Sequence, residues 1–332
     1  MKIFPSQYVS IQAKVHFPTY SNMNDMKTLT IPTEIRTAIA AGATLAVSIS
    51  GGKDSQALLK AIVEWYRSEG LTNKLFAIHA DLGRTEWKQT PAFVEKLCLE
   101  LGVELVIVRR EREGKVVDLL AHWKARQEKL KGTGKPFWSS SKMRYCTSDL
   151  KREPINRYLR QFNNVVSIEG ICWHESPARA LKPRVKVREE ITTKKRTALT
   201  WNAIIDWSLQ DVWNSYGMST ELHCRAFEQY TETGQVPEWW SFHPAYAMGN
   251  TRLSCSMCIL SNTSDFINGI LHNAELADEI SAMEEGSGFT FKQGASVAQV
   301  RAKYKQSEHR TAIRIALKLA HAKSIEYQPQ MF

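Results

Sequence analysis

Short apolar runs alternate, in the first half of the chain, with longer segments whose apolar residues recur at helical spacing. The apolar runs end at glycines or polar clusters, as buried strands do where they lead into tight turns. We expect strands at residues 45–50, 75–80, 105–108 and 165–170. We expect helices at residues 33–41, 54–68, 86–101, 115–130 and 147–162. This alternation predicts a doubly wound α/β fold, in which a parallel sheet carries helices on both faces.

The alternation ends after Gly170, and a strongly basic stretch follows at residues 182–196. Seven basic and two acidic side chains occur there, which fits either a mobile flap or an edge hairpin with one basic face. Residues 206–208 can cap a helix to residue 216, and amphipathic stretches lie at 265–283 and 298–319. We therefore expect an N-terminal extension at 1–35, the α/β domain at 36–210 and a mainly helical C-terminal region at 211–332.

The composition is that of a folded protein with a core, since 43% of the 332 residues are hydrophobic and 23% are charged. No run approaches the roughly 18 apolar residues that a membrane helix needs. Polar residues and a proline interrupt residues 1–17, so we expect no secretory signal. Six cysteines are too few for a disulfide scaffold and indicate reduced thiols in the cytoplasm. The formal net charge of +10 favours a polyanionic partner.

A glycine turn between a predicted strand and the helix after it carries the strongest chemical signal. In a doubly wound sheet, this junction lies in the crevice where ligands bind. Two glycines let the backbone approach an anion closely, and the helix offers free N–H groups and the positive end of its dipole. A lysine adds charge, serine hydroxyls add donors, and an aspartate can hold Mg²⁺ or cap the helix. The candidate residues are Ser48, Ser50, Gly51, Gly52, Lys53, Asp54 and Ser55.

The spacing of this turn is neither that of a Walker A loop nor that of a dinucleotide fingerprint. The sequence Ser-Gly-Gly-Lys-Asp-Ser at residues 50–55 resembles instead the PP-loop of the ATP pyrophosphatase superfamily. The resemblance implies an adenine nucleotide α-hydrolase-like fold and cleavage of ATP to AMP and pyrophosphate, with AMP transferred to an acceptor oxygen. It also implies ATP and Mg²⁺ as ligands, with Lys53 and Asp54 as catalytic residues.

Five further motifs resemble the PAPS reductase-like branch of that superfamily. They lie at residues 79–86, 143–151, 169–179, 204–213 and 252–259. One such match is weak, whereas five in the order of the family are specific. The resemblance makes Cys146 a third catalytic candidate and adds residues to the expected nucleotide site. The added residues are His79, Asp81, Gly170, Glu175 and Arg179.

Two departures separate the chain from sulfonucleotide reductases. Those enzymes carry a catalytic cysteine near the C-terminus, whereas the last cysteine here is Cys258, and the adjacent Cys-Cys pair of the cluster-bearing reductases is absent. The arrangement resembles instead the ATP pyrophosphatase component of DNA phosphorothioation systems. That resemblance implies a DNA backbone phosphate as acceptor, a role in anti-phage defence, a cysteine desulfurase as sulfur donor and other phosphorothioation subunits as partners. A tRNA-thiolating PP-loop enzyme and a PAPS or APS reductase are the alternatives.

The basic stretch at 182–196 fits a DNA backbone, which cationic side chains bind with release of counterions. It fits equally a solvated loop or a contact with the phosphates of ATP. The sequence leaves these interpretations open.

Cys255 and Cys258 have the spacing of one corner of a zinc or iron–sulfur site, and Cys146 is the third candidate ligand. A metal-free dithiol that relays sulfur is the competing interpretation, and the spacing favours the metal slightly. Cys146 also precedes a predicted helix beside basic residues, conditions that make a thiol reactive. The fourth ligand is open among Cys172, Cys224, His243 and an external thiol or water.

Overall fold

The computed structural model describes residues 27–303, and residues 1–26 and 304–332 lie outside the described part of the chain. Its strands are β1 (Thr44–Ser48), β2 (Leu75–Ala80), β3 (Glu104–Val108), β4 (Glu111–Arg112), β5 (Lys115–Val116), β6 (Asn164–Ile168), β7 (Val185–Val187) and β8 (Thr197–Trp201). Six of them form one sheet in the order β3-β2-β1-β6-β8-β7. The first five strands of that order are parallel, and β7 is antiparallel at the edge. The predicted α/β fold is confirmed.

Helices cover both faces of the sheet because successive residues of a strand point to opposite sides. On β1, Leu45 and Val47 join one buried cluster, whereas Ala46 packs with Phe76 and Ile78 in another. The helices are α1 (Thr33–Ala40), α2 (Lys53–Ser68), α3 (Thr90–Glu100), α4 (Leu119–Leu130), α5 (Tyr145–Thr147), α6 (Glu153–Leu159), α7 (Pro177–Ala180), α8 (Leu209–Asn214), α9 (Thr220–Thr233), α10 (Pro244–Ala247), α11 (Thr263–His272), α12 (Ala274–Ser287) and α13 (Val297–Lys303).

Two predicted helices, α3 and α4, begin four residues later than the apolar spacing indicated. α3 starts at Thr90 because Pro91 fits only the first turn of a helix, and a short 3-10 turn precedes it. α4 starts at Leu119 because β4 and β5 form a hairpin just before it. Asp118 caps α4 by accepting the N–H of Ala121 at 2.7 Å.

The sheet has a fifth parallel strand, β8, that the sequence pattern did not indicate. Thr197 and Thr200 interrupt the apolar residues of this strand, so no long apolar run marks it. The basic stretch supplies β7, which pairs antiparallel with β8. The edge hairpin, rather than the mobile flap, is therefore the conformation of residues 185–201.

Two further predicted helices are interrupted. The segment predicted at 147–162 begins at Tyr145 and passes through a π-helical turn at Ser148–Arg152 before it ends at Leu159. The amphipathic stretch at 265–283 is divided into α11 and α12 by Asn273, whose ψ of 66° ends the first helix. Of the helix predicted at 298–319, the described residues include only α13.

The C-terminal region is mainly helical as far as it is described, and it shares a buried cluster with α4 and the segment around Trp138. Trp123 of α4 and Trp138 lie edge to face with ring centres 5.5 Å apart, and both rings contact Phe291. Met257 and the apolar faces of α11, α12 and α13 complete this cluster. Between residues 27 and 303, no helix combines the length and the apolar character needed to cross a bilayer.

Candidate active site

The glycine turn lies at the centre of the sheet, where the strand order reverses. β1 lies between β2 and β6, and its last residue, Ser48, leads into the turn and then into α2. Gly51 has a φ of +75°, which a residue with a side chain rarely adopts, and Gly52 is the N-cap of α2. In open α/β sheets, ligands bind at such a reversal, beyond the carboxyl ends of the strands.

Ser50 and Ser55 fix the shape of the turn. The N–H of Ser50 donates to the Ser55 hydroxyl oxygen at 3.2 Å, and that hydroxyl donates to the carbonyl of Gly52 at 2.8 Å. The Ser55 hydroxyl, expected from the sequence to face an anion, therefore supports the loop from within.

Lys53 and Asp54 form an ion pair at the first turn of α2, with 2.8 Å between the ammonium and the carboxylate. Burial opposes charge on both groups, yet each favours the charge of the other. On balance the pKa of Lys53 is raised and that of Asp54 is lowered, so both are ionised near neutral pH. The second carboxylate oxygen of Asp54, Oδ1, is buried without a hydrogen-bond partner in the structure. An unpartnered buried carboxylate oxygen is suited to a hard cation such as Mg²⁺.

His79, at the end of β2, is buried beside the turn. One ring nitrogen lies 3.0 Å from the carbonyl of Ile49 and the other 3.3 Å from the carboxylate of Glu86. Burial alone would lower the pKa of His79, but the hydrogen bond and charge of Glu86 raise it overall. His79 therefore joins the turn to the segment that precedes α3.

Asp81 shapes the next turn. Its carboxylate accepts the N–H of Gly83 at 2.7 Å and the guanidinium N–H of Arg109 at 2.7 Å. The predicted nucleotide-site carboxylate is thus already engaged by a backbone donor and a cation.

Gly170, just after β6, lies close to the start of α2. A Cβ atom at this position would lie 3.1 Å from the carbonyl oxygen of Asp54 and 3.1 Å from the Cα of Ser55. Close approach of backbones, rather than an unusual φ, therefore requires glycine here.

Glu175 forms ion pairs with two arginines at the mouth of the crevice. Its carboxylate pairs with Arg179, one helical turn on, and lies 3.2 Å from the guanidinium of Arg252. Burial and the neighbouring charge of Arg252 lower the pKa of Arg179. Two guanidiniums share one carboxylate, so this cluster keeps a positive charge that favours an anionic ligand.

Two residues that the sequence did not assign to the nucleotide site, Cys172 and His174, lie beside the ion pair. The pKa of the fully buried Cys172 thiol is raised well above its usual value, first by burial and then by the charge of Asp54. The Nδ1 of His174 donates to the carbonyl of Trp207 at 3.2 Å, and its Nε2 is buried without a partner in the structure. Only the spatial approach of residues 170–175 to α2 reveals them.

The C-terminal region reaches the turn through Tyr246 and Leu253. The Tyr246 hydroxyl accepts the N–H of Lys53 at 3.0 Å, and a Cβ at Gly52 would lie 3.5 Å from the Cβ of Leu253. No motif signalled Tyr246, whereas Arg252 and Leu253 belong to the motif before Cys255.

The three candidate cysteine ligands share one neighbourhood. Burial raises the pKa of Cys255 to about 12, Lys151 opposes that rise, and Cys258 and Cys146 add to it. Within residues 27–303, no three His, Cys, Asp or Glu side chains are arranged to hold a metal ion in this conformation.

Two of the candidates for the fourth metal ligand, Cys172 and His243, have other neighbours in the structure. Cys172 lies beside Asp54 rather than in the loop at residues 252–259 that carries Cys255 and Cys258, here called the cysteine loop. Both ring nitrogens of His243 have hydrogen-bond partners, Thr90 at 3.1 Å and the N–H of Ala245 at 3.1 Å.

The basic stretch contributes its arginines to the fold. Arg188 is buried and donates to Asn156, Glu169 and two hydroxyls, while Arg196 donates to three backbone carbonyls. Arg184 lies 3.1 Å from the carboxylate of Asp206. Lys182, by contrast, lies within electrostatic reach of Lys186, Arg179 and Arg144, so its positive charge adds to that of the crevice.

The sheet order, the glycine turn and the buried ion pair define a nucleotide-utilising α/β protein. Residues 44–236 match the phosphoadenosine phosphosulfate reductase domain family, and the chain belongs to that family. An uncharacterized protein of Methanocaldococcus jannaschii is 24% identical over 225 residues, which are 66% of this chain and 42% of the relative. The chain thus spans less than half the length of that curated relative.

Two solved structures that match the chain share little sequence with it. The phosphoadenylyl-sulfate reductase of Candida auris, in a phosphate complex, is 18% identical and covers 64% of this chain and 91% of its own, with a TM-score of 0.36. The U34-tRNA thiolase of Methanococcus maripaludis, with its 4Fe–4S cluster, is 12% identical and covers 90% and 80%, with a TM-score of 0.37.

Proposed function

We propose that this protein is a Mg²⁺-dependent ATP pyrophosphatase that transfers AMP to an acceptor oxygen. One observation carries the proposal: the buried Lys53–Asp54 pair lies at the start of α2, beside the positively charged cluster of Glu175, Arg179 and Arg252. A cation, a carboxylate with an unpartnered oxygen and a glycine turn are the groups that a nucleoside triphosphate and its metal ion need.

The chemistry follows from these charges. Attack by an acceptor oxygen on the α-phosphorus of ATP forms one P–O bond and breaks the bond to pyrophosphate, whose negative charge grows as it leaves. Lys53 and the N-terminus of α2 offset that negative charge, and the positive charges of Arg179 and Arg252 at the mouth of the crevice offset it further. Asp54 would hold Mg²⁺, which, when bound, neutralises phosphate charge and helps the leaving group depart.

We propose a DNA backbone phosphate as the acceptor, activated in this way for sulfur insertion. A phosphate oxygen is a poor leaving group, and adenylation makes its departure with AMP favourable when a sulfur nucleophile attacks. The net charge of +10 and the lysines beside the crevice support a polyanionic acceptor. The terminal sulfur of a persulfide on a cysteine desulfurase would attack the activated phosphorus and displace AMP, within a set of phosphorothioation subunits. A second thiol would then reduce the remaining S–S bond, forming a disulfide and leaving the phosphorothioate.

The cysteine loop would serve this reaction in one of two ways. Cys146, Cys255 and Cys258 either bind zinc or an iron–sulfur cluster that stabilises the loop, or receive persulfide sulfur as a relay. Their shared neighbourhood supports both roles, and we favour the structural role for Cys255 and Cys258 because paired ligands on a short turn suit a metal.

Sulfonucleotide reduction is a second candidate, because the family to which residues 44–236 belong is named for it. Incubation with Mg²⁺ and ATP labelled at the α-phosphate tests the main proposal, and AMP with pyrophosphate is expected. DNA, tRNA and PAPS are then supplied separately, the first two with a desulfurase and cysteine and the third with reduced thioredoxin, and sulfur is located by mass spectrometry. ADP with phosphate would overturn the pyrophosphatase, while sulfur in tRNA or consumption of PAPS would overturn the DNA acceptor.

A further inference from the structure

Tyr246 links the glycine turn to the cysteine loop through one oxygen atom. Its hydroxyl accepts the N–H of Lys53 at 3.0 Å and the N–H of Leu253 at 3.3 Å. Lys53 begins α2, and Leu253 lies two residues before Cys255. A single buried acceptor therefore joins the expected pyrophosphate site to the segment that carries the thiols.

The position of this oxygen is fixed by the packing of the ring. Tyr246 is only 1% exposed, and its ring lies edge-on to Trp213 with centres 5.7 Å apart. The carbonyl of Tyr246 accepts the Nε2–H of His223 at 2.9 Å, which holds the backbone of α10 as well. The hydroxyl cannot follow either partner far if that partner moves.

The segment around Leu253 touches the crevice at two more points. Arg252 lies 3.2 Å from Glu175, and the N–H and hydroxyl of Ser256 both donate to the carbonyl of Thr85, at 2.9 and 3.1 Å. On its other side, a Cβ at Gly269 of α11 would lie only 1.8 Å from the carbonyl oxygen of Ser256. The cysteine loop is thus confined between the nucleotide crevice and α11.

We infer that Tyr246 is a positioning residue that couples occupancy of the glycine turn to the position, and hence the reactivity, of Cys255 and Cys258. The inference rests on the proposed binding of ATP at this turn. A phosphate oxygen is a stronger acceptor of the Lys53 N–H than a phenol, so bound pyrophosphate competes with Tyr246 for that donor. The fixed hydroxyl then accepts the N–H of Leu253 alone, which changes how firmly that residue is held. The change also reaches Arg252, because the same anion attracts that guanidinium.

This coupling would set the order of the two reaction steps. Adenylation must precede sulfur transfer, and a cysteine loop that responds to nucleotide at the turn changes its exposure when adenylation takes place. By linkage, the arrangement of the cysteine loop that bound nucleotide favours must itself favour nucleotide binding.

The test measures the alkylation rates of Cys255 and Cys258 by iodoacetamide, mapped by mass spectrometry, with and without a non-hydrolysable ATP analogue and Mg²⁺. In the wild type, we expect nucleotide to change the rate about fivefold or more. Tyr246→Phe should bind the analogue and melt cooperatively, yet lose most of that response. Tyr66→Phe is the matched control, because it removes a hydroxyl that donates to the carbonyl of Asn73 at the opposite end of α2.

The outcomes separate this inference from the proposed function. If the wild type does not bind the analogue, the proposed function fails and the coupling fails with it. If the wild type binds the analogue and thiol reactivity stays the same, the coupling alone is overturned. A nucleotide response that persists in Tyr246→Phe would show that Tyr246 is not the link. If Tyr246→Phe does not fold, the wild-type comparison still decides whether the coupling exists.

Discussion

The ammonium of Lys53 lies 2.8 Å from the carboxylate of its neighbour Asp54, and the two side chains are only 4% and 13% exposed. An ion pair withdrawn from solvent to this degree tolerates the loss of either partner poorly. The pair therefore has two roles in the proposed site, since it supplies charge for the reaction and also keeps each buried charge compensated.

Lys53→Ala should abolish pyrophosphate release, lowering the rate by about 10²-fold or more, because it removes the cation that offsets the leaving group. It should also lower the melting temperature, since Asp54 is left without its counter-charge. A coupled pyrophosphate assay and thermal unfolding measure the two effects. Lys60→Ala, on the same helix but outside the turn, should retain activity, and an active Lys53→Ala would contradict the mechanism.

Gly170→Ala should weaken nucleotide binding, because the added methyl group lies 3.1 Å from backbone atoms of Asp54 and Ser55. We expect a destabilisation of about 1–3 kcal/mol in urea unfolding, together with a raised KM for ATP. Gly286→Ala is the control, since the nearest atom to its Cβ is 3.9 Å away on the Gln127 side chain, and it should be neutral or stabilising. Equal behaviour of the two variants would refute the close approach.

Acid should destabilise the fold through two buried histidines. Burial lowers the pKa of His223 to about 4 and that of His243 to about 3, from an ordinary value of 6.5. Because the folded pKa values are the lower ones, this stability is complete above pH 6.5 and is lost as pH falls towards 4 and 3. Each histidine should contribute about 1.4 kcal/mol per pH unit in that window.

Urea unfolding between about pH 7 and about pH 5 measures this loss. His243→Asn keeps an oxygen that can accept the N–H of Ala245 and should reduce the pH slope by one proton. A slope that does not change in the variant would show that His243 is not buried in its neutral form.

Cys255→Ser and Cys258→Ser should lower the melting temperature and ATP cleavage together, since we favour a structural metal for this pair. Metal content by mass spectrometry should fall in the same variants, with Cys98→Ala, in the buried core beside the sheet, as the control for metal content. Variants that fold and release pyrophosphate normally but incorporate no sulfur would establish a relay instead. Normal folding, cleavage and sulfur incorporation in both variants, and in Cys146→Ser, would exclude both roles.

Lys182→Ala combined with Lys186→Ala should weaken DNA binding and reduce the slope of log affinity against log salt by about 2, because each phosphate contact contributes about 0.9. Arg188→Lys should instead unfold more readily, since Arg188 is buried among hydrogen-bond acceptors. Titrations of each variant with DNA at several salt concentrations distinguish a lost phosphate contact from a destabilised fold. An unchanged slope in the lysine variant would place the DNA surface elsewhere.

Local pattern determined much of this protein in advance. A strand, a two-glycine turn and a helix follow one another within residues 44–68, so periodicity and the conformational freedom of Gly51 suffice to predict the turn. The same reasoning failed at β8, where Thr197 and Thr200 interrupt the apolar run, and at the start of α4, where a hairpin replaces the first predicted turn.

Only the tertiary structure decided which side chains meet at the turn. Tyr246 is 193 residues from Lys53, and no spacing rule relates two residues so far apart. The structure also assigns the arginines of the basic stretch to buried and backbone acceptors, although the sequence shows them only as charge. The physical reason is that periodicity reports which face of an element is buried, whereas partners across the crevice depend on how the helical C-terminal region packs against the sheet domain.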